Sequence, residues 1–317
     1  MDRYYPFSRF LQRKFGAPVH KVCIDAGFSC PNIDGTVATG GCTYCNNSSF
    51  SPVPKLNLHD VSAQIERGVA YIRRRYKAEH FLAYFQSYSN THAPLATLRE
   101  LYSLALGFSG VVGLDISTRP DCIDKEKLDY LQELARERFV LLEYGMQSCH
   151  DETLRRVNRG HNHECFVKAL EMTAGRGLFT CAHVILGLPN ERDHQILQTA
   201  DRLAELPLDF VKIHDLRVVC GSVLGCEYEK SPFPMRTRDE YIDLLIRFLE
   251  RISPTMAVMR LFARTPPELL LAPTWDSNPN RLIRDIRAEL ERRSTWQGRL
   301  CHRAGAQDLR ERDNASV

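Results

Sequence analysis

Six short apolar runs, each followed by a helical pattern, constrain the fold of this 317-residue chain more than any other feature. The runs HKVCID (20–25), HFLAYFQ (80–86), VVGLDIS (111–117), VLLEYGM (140–146), TCAHVIL (180–186) and FVKIHDL (210–216) read as strands, mostly apolar on both faces as buried parallel strands are. Between them Val61, Ile65, Val69 and Ile72 recur at helical spacing, as do Leu128, Leu131 and Leu134, and Ile242, Leu245 and Leu249 follow the sixth run. Right-handed crossovers curl six such units into a partial (β/α)6 TIM-like barrel, α/β in class. A barrel domain uses about 200–250 residues, so one domain accounts for most of the length. The expected organisation is an N-terminal extension over 1–19, the barrel over 20–252 and a C-terminal extension over 253–317. In the last, AVMRLFA (257–263) is a candidate added strand, RLIRDIRAELERR (281–293) a closing helix, and the polar tail after Trp296 is expected to fray.

Composition sets the compartment. No apolar run is long enough to span a bilayer, and the opening MDRYYPFSRFLQRKFG is too charged and aromatic for a signal peptide. Eleven cysteines, an odd number, point to a reducing compartment with thiols free or metal-bound, so a cytoplasmic location without membrane attachment is expected. A net charge of +3 permits a polyanionic partner without requiring one.

Three of those cysteines fall within sixteen residues, CPNIDGTVATGGCTYC (30–45), spaced Cys30-x11-Cys42-x2-Cys45. The loop follows the C-terminal end of the first strand, the end that carries the active site in (β/α) barrels. A structural zinc site would need a fourth ligand, for which His20, Cys23 and His59 are candidates. A disulfide would strand one thiol. A three-thiolate iron–sulfur cluster would leave one iron open to a ligand other than protein. Spacing alone leaves zinc and iron–sulfur equally open, since both are thiolate sites.

The runs KVCIDAGFSCPNIDG…GGCTYCNNSSF, AYFQSYSNTHAP, GLDISTRPDCID, EYGMQSCHDETLRRVNRGHN and VILGLPNE, together with APTW…TWQG near the C-terminus, decide the matter by resemblance. In this order over residues 4–300 they resemble the strand-end motifs of radical S-adenosylmethionine (SAM) proteins, in particular the bacterial YhcC/YtqA group related to the radical SAM domain of the Elongator catalytic subunit. The resemblance implies a partial barrel of the radical SAM type and a [4Fe-4S] cluster on Cys30, Cys42 and Cys45, with SAM closing the fourth iron site. Cleavage of SAM would then yield a 5′-deoxyadenosyl radical that abstracts hydrogen from substrate, the cofactors carrying the hard step while the protein orients them. By the same likeness Tyr44 shields the cluster or touches the adenine, and Gln86 and Ser87 meet the SAM amino group. Ser117 stands where some relatives carry an acidic ligand. Gln147 and Arg159 contact the ribose and the methionyl carboxylate, for which the guanidinium fork is suited. His183 stands where Gly or Asp is commoner, and Glu191 falls one residue beyond the usual acidic position, held here by Asn190. Glu143 is expected to hold neighbouring strands or a basic residue.

The Elongator-like flavour of STRPDCID and QSCHDETLRRVNRGH points to tRNA, at the C5 side chain of a wobble uridine. This length leaves no room for an acetyltransferase domain like Elongator's, so remodelling or trimming of an existing side chain is expected. An electron donor such as flavodoxin or ferredoxin is implied. Two alternatives stand beside tRNA: a radical SAM enzyme acting on a small metabolite or a protein, and a non-enzymatic metal-cluster-binding adaptor. Basic residues at Arg3, Arg9, Arg13 and Lys14, at 71–77 and at 281–293 are expected around the cluster-bearing mouth, gripping phosphates. HNHEC (161–165) is read as opening a helix, with His161 and Cys165 on one face, and Cys220 and Cys226 as buried free thiols.

Overall fold

The structure, a computed structural model, describes residues 2–49, 60–275 and 278–301. His59 and the tail beyond residue 301 lie outside the described residues. Among the described residues nine strands form: β1 (Val19–Ile24), β2 (His80–Phe85), β3 (Val111–Thr118), β4 (Phe139–Gln147), β5 (Phe179–Leu186), β6 (Phe210–Asp215), β7 (Val218–Val219), β8 (Ala257–Arg260) and β9 (Leu270–Ala272). The six expected runs are β1 to β6, each within one residue of its expected limits. β8, the candidate added strand, extends them to a seven-stranded parallel sheet in the order β1-β2-β3-β4-β5-β6-β8, curled into a half-barrel. β7 and β9 pair antiparallel in a small separate ribbon that sequence periodicity does not signal, being two and three residues long.

Among the described residues ten α-helices accompany the strands: α1 (Phe7–Phe15), α2 (Val61–Tyr76), α3 (Leu95–Leu106), α4 (Lys125–Ala135), α5 (Asp151–Arg156), α6 (His163–Thr173), α7 (Asp193–Glu205), α8 (Val223–Lys230), α9 (Arg238–Leu249) and α10 (Pro279–Arg292). Their ends follow from local chemistry. Asp60 caps α2 by accepting from the Ser62 amide at 2.7 Å, and Thr237 and Glu240 form a reciprocal capping box on α9. Asn162 caps α6, so that helix begins at His163 and His161 lies outside it, where HNHEC was expected to place His161 and Cys165 on one helical face. Ile65, Leu98, Leu128, Leu170, Leu203 and Leu245 turn inward from the outer helices onto Phe81, Phe85, Ile116, Leu142 and Val184 of the sheet, forming the main core. Among the described residues no helix is long and apolar enough to cross a membrane.

The concave face of the sheet departs from the expected apolar strands, because every second residue points into the barrel and these residues form layers. At the strand starts, Leu82, Phe139, Leu141, Cys181, Phe210 and Ala257 meet Phe7, Phe10 and Leu11 of α1 in a closed apolar floor. Phe10 sits edge-on to Phe210 with centroids 4.8 Å apart. The N-terminal extension is thus a helical plug, signalled by Phe7, Phe10 and Leu11 at helical spacing. Gly113 belongs to this floor: a Cβ there would fall 2.1 Å from the Phe139 carbonyl oxygen, so only glycine lets β3 and β4 approach.

One layer up, Lys21, Tyr84, Asp115, Glu143 and Lys212 converge from five strands. Glu143 is fully buried; one carboxylate oxygen accepts from Lys21 at 2.9 Å, the other from Lys212 at 2.7 Å and the Tyr84 hydroxyl at 3.0 Å. Lys21 also pairs with Asp115. Buried charges require such mutual pairing, which is why the layer is dense.

Candidate functional site: the mouth of the half-barrel

Above the charged layer, the strand ends and the loops that leave them enclose a cavity of about 230 Å³. The loop after β1 is fixed by backbone turns: the amides of Ile33 and Asp34 donate to the Cys30 carbonyl at 2.7 and 3.0 Å, and the Cys45 amide to the Cys42 carbonyl at 2.9 Å. Asn32, fully buried, donates from Nδ2 to the Asn158 carbonyl at 2.5 Å and to Cys42 Sγ at 3.6 Å. Asn158 returns the tie by donating to the Gly41 carbonyl at 2.7 Å. The cysteine loop is therefore locked to the turn that carries Arg159.

Cys30, Cys42 and Cys45 all line the cavity, together with Tyr44, Gln86, Ser117, Gln147, Arg159 and His183. Ser87 is buried and does not contribute to the lining. Arg159 is a buried cation of this wall. Its Nη1 donates to Cys42 Sγ at 3.6 Å and its Nη2 to the Gly145 carbonyl at 2.7 Å, while Nε is buried without a hydrogen-bond partner. Gly145 makes room: a Cβ there would stand 2.5 Å from Arg159 Nη2 and 2.8 Å from Gln147 Nε2. Behind Arg159, Arg119 donates to its carbonyl at 2.8 Å and forks onto Asp121 at 2.8 and 2.7 Å. Gln147 adopts a left-handed backbone (φ 71°) where β4 slips register against β5, which turns its amide into the cavity.

Two of the nominated residues are tied to the charged layer below. Ser117 donates to Glu143 at 2.7 Å, and His183 Nε2 lies 2.8 Å from the same carboxylate oxygen. Burial and the neighbouring Lys212 push His183 down to about 4 against the pull of Glu143, so its ring is neutral at physiological pH. Burial disfavours charge on Glu143 too, but Lys21, Lys212 and His183 hold it well below the usual carboxylate range. Burial lowers Lys212 to about 8. Glu191 is engaged away from the cavity, accepting from Ser148 at 2.5 Å.

The thiols show what the site can hold. Cys45 is pushed up to about 12, by burial first and then by the proximity of Cys42 and Cys30. Three thiolates so placed repel one another unless a strongly cationic group lies between them. Among the described residues no group of three or more His, Cys, Asp or Glu side chains converges on a single ion's position. His20 instead stacks on Tyr76 with ring centroids 4.9 Å apart, and Cys23 faces the charged layer beside Lys21 and Lys212. Soft donors spread around one cavity, with a buried cation beside them, suit a polynuclear iron–sulfur cluster better than tetrahedral zinc. Polar groups on the adjoining strand ends, Gln86, Gln147 and the free Arg159 Nε, suit a zwitterionic ligand such as SAM.

The wall beyond His183 was not legible as a site. Lys212, His214, Arg217, Arg260 and Arg264 line it, from β6, β8 and the segments after them. The signal was Lys212 and His214 inside FVKIHDL and the Arg at the end of the added strand. None of the basic residues in the segments expected at the mouth lines the cavity. α2 ends just before β2 begins, so Arg73, Arg74, Arg75 and Lys77 stand at the floor end of the sheet. Arg9, Arg13 and Lys14 ride on the floor plug, with Lys14 Nζ 5.2 Å from the centroid of the Phe179 ring. On α10 and at its end, Arg287 pairs with Asp2 at 3.5 Å, and Arg292 and Arg293 with Glu289 at 2.6 and 2.7 Å. Cys226, expected to be buried, is exposed on α8.

Comparison with known proteins agrees with this geometry. The model of the radical SAM superfamily matches residues 33–203, and that of the radical SAM C-terminal domain matches 208–292. The chain is 36% identical to the uncharacterized protein YtqA of Bacillus subtilis over 95% of this chain and 94% of the relative. It is also 36% identical to protein YhcC of Escherichia coli K12, over 86% of this chain and 87% of the relative. An archaeal Elp3 from Methanocaldococcus infernus shares the fold with a TM-score of 0.68 at 16% identity, over 88% of this chain and 64% of that one. With three cysteines on the loop after the first strand of a parallel half-barrel, the chain belongs to the radical SAM superfamily, whose enzymes use a [4Fe-4S] cluster and S-adenosylmethionine.

Proposed function

We propose that this enzyme modifies tRNA, remodelling or trimming the C5 side chain of a wobble uridine, with Cys30, Cys42 and Cys45 as cluster ligands. When bound, the family's cofactor pair supplies a 5′-deoxyadenosyl radical that takes a hydrogen atom from substrate. The protein's own residues position and insulate that chemistry. Arg159 offsets the thiolate charge at Cys42 and keeps Nε for the cofactor's carboxylate. Tyr44, on the loop between the paired cysteines, screens the thiols from water, and Gln86 and Gln147 offer amides to the amino group and ribose. Ser117 and His183 are anchored by Glu143 and close the underside of the cavity, so that substrate has to enter from the mouth.

The single observation that carries the tRNA reading is the cationic wall, where Arg217, Arg260 and Arg264 line the same cavity as the cysteines. Support also comes from kinship. The chain is 26% identical, over 176 residues and 54% of its length, to a protein named tRNA uridine(34) acetyltransferase from Methanocaldococcus infernus. A base must leave its stack to reach a radical inside a barrel, so anticodon loops should be preferred over duplex arms.

The test is genetic and then chemical. Wobble-uridine nucleosides from a deletion strain are compared with wild type by mass spectrometry, and the mutant's tRNA is incubated with reduced protein and SAM. The expected result is an altered nucleoside in the deletion strain and tRNA-dependent 5′-deoxyadenosine in vitro. Unchanged nucleosides with no tRNA-dependent product would move the assignment to a metabolite or protein substrate.

A further inference from the structure

The two walls of the cavity differ in how their charges are compensated. On the cysteine wall, Arg119 is paired with Asp121, and Arg159 is held by Cys42 and Gly145. On the cationic wall, Arg260 and Arg264 line the cavity with no ion-pair or hydrogen-bond partner among the described residues. Arg217 pairs with Asp215 at 2.5 Å, yet its Nη2 is buried without a hydrogen-bond partner, and so is Nε2 of His214. Arg217 is also fixed in place, its guanidinium carbon 4.8 Å from the centroid of the Trp275 ring. Arg260 is half-buried at the end of the edge strand β8, and its charge is felt by Cys23 on β1, the opposite edge of the sheet. Arg264 is exposed, at the rim.

Buried donors without a partner, such as those of Arg217 and His214, are costly unless a ligand answers them. Two guanidinium groups with free forks, beside two further buried N–H or ring-nitrogen positions, match the oxygens of a phosphate or carboxylate. Dispersed solvent anions do not account for the buried positions, because Nη2 of Arg217 and Nε2 of His214 are shielded from bulk water.

We propose that Arg260 and Arg264, backed by Arg217 and His214, form a substrate-anion subsite that seats a phosphate or carboxylate oxygen group of the substrate in the cavity that the cysteines also line. It deepens the tRNA reading, resting on its placement of substrate in this cavity, and assigns recognition to residues separate from the cofactor contacts. In tRNA the anion is a phosphodiester next to the target nucleoside, or an acidic group on its side chain.

The test uses the anaerobically reconstituted holoenzyme at low ionic strength. Binding of uridine 5′-monophosphate is measured calorimetrically for wild type, the double variant Arg260→Gln/Arg264→Gln, and Arg260→Lys; uridine, inorganic phosphate and acetate serve as competitors. Wild type is expected to bind the monophosphate, with the double variant weakened roughly tenfold or more and Arg260→Lys falling between, because lysine keeps charge but not the fork. Iron content and SAM affinity should stay at wild-type values, which also shows that the variants fold. Competition by phosphate alone identifies a phosphate group and competition by acetate alone a carboxylate; either supports the subsite. Equal binding by the double variant and wild type, absence of binding by wild type, or loss of SAM affinity in the variant would each overturn it. Monophosphate binding that depends on the arginines, without tRNA-dependent 5′-deoxyadenosine, would keep the subsite and reject tRNA; tRNA-dependent turnover indifferent to both arginines would do the reverse.

Discussion

The floor and the mouth of this half-barrel are built from the same seven strands and follow opposite rules. At the floor, Phe7, Phe10, Phe139 and Phe210 fill the space, and apolar contact satisfies every inward side chain. At the mouth, inward positions on the same strands carry Gln86, Ser117, Gln147, His183 and His214, and several polar atoms have no protein partner. Between them the Glu143 layer seals one region from the other. Stability is concentrated where packing is complete, and binding capacity where it is not; the contrast teaches that the fold does not depend on the site it presents.

The middle layer should be the most sensitive point, because it serves both regions. Glu143→Leu leaves Lys21 and Lys212 facing each other without their shared carboxylate, a change expected to cost about 3–5 kcal/mol and to release Ser117 and His183. Urea unfolding of the cluster-free protein measures the loss, and SAM binding to any folded fraction should fall with it. A variant as stable as wild type would show that the layer is decorative.

Phe10→Ala should cost a similar amount, about 3–5 kcal/mol, by opening a void against Phe179 and Phe210. Its signature differs: protein that remains folded should still assemble a full complement of iron and bind SAM normally. Impaired cofactor binding in that folded fraction would break the division between floor and mouth.

Arg159→Ala should show the mirror image. Unfolding free energy should change little, while loss of a charge-assisted contact costs about 1.5–3 kcal/mol in SAM affinity, roughly ten- to hundredfold. Equilibrium dialysis of SAM on the iron-replete variant reads this, and wild-type affinity would remove Arg159 from the cofactor pocket.

The smallest effect, taken per pH unit, is a pH dependence. His183 titrates at about 4 in the folded chain, below its ordinary value of 6.5, chiefly through burial. The unfolded chain therefore takes up this proton first, and stability is lost as pH falls from 6.5 towards 4. His183→Gln should flatten that limb by at most about 1.4 kcal/mol per pH unit. An unchanged slope in urea titrations across this range would mean that His183 is not held neutral.

Much of this contrast was legible in the sequence, and its limits have physical causes. The six strands and the cysteine loop were readable because periodicity and turn residues are local. The docking of the plug, the charged layer and the cationic wall were not, since each brings together residues far apart in the chain. Lys21, Asp115, Glu143 and Lys212 each look like one polar residue inside an apolar run, and only strand pairing brings them together. The basic residues of α1 and α2 lie at the floor end for a related reason, because charge counted along the chain carries no information about which end of a barrel it reaches.

Electron paramagnetic resonance of the reduced, reconstituted protein tests directly whether Cys30, Cys42 and Cys45 hold a cluster with one open iron. Wild type should show a [4Fe-4S]⁺ signal that changes on adding SAM, and Cys42→Ala should lose both iron and signal while its cluster-free form unfolds at the wild-type urea concentration. A complete cluster in Cys42→Ala, or a wild-type signal indifferent to SAM, would contradict it.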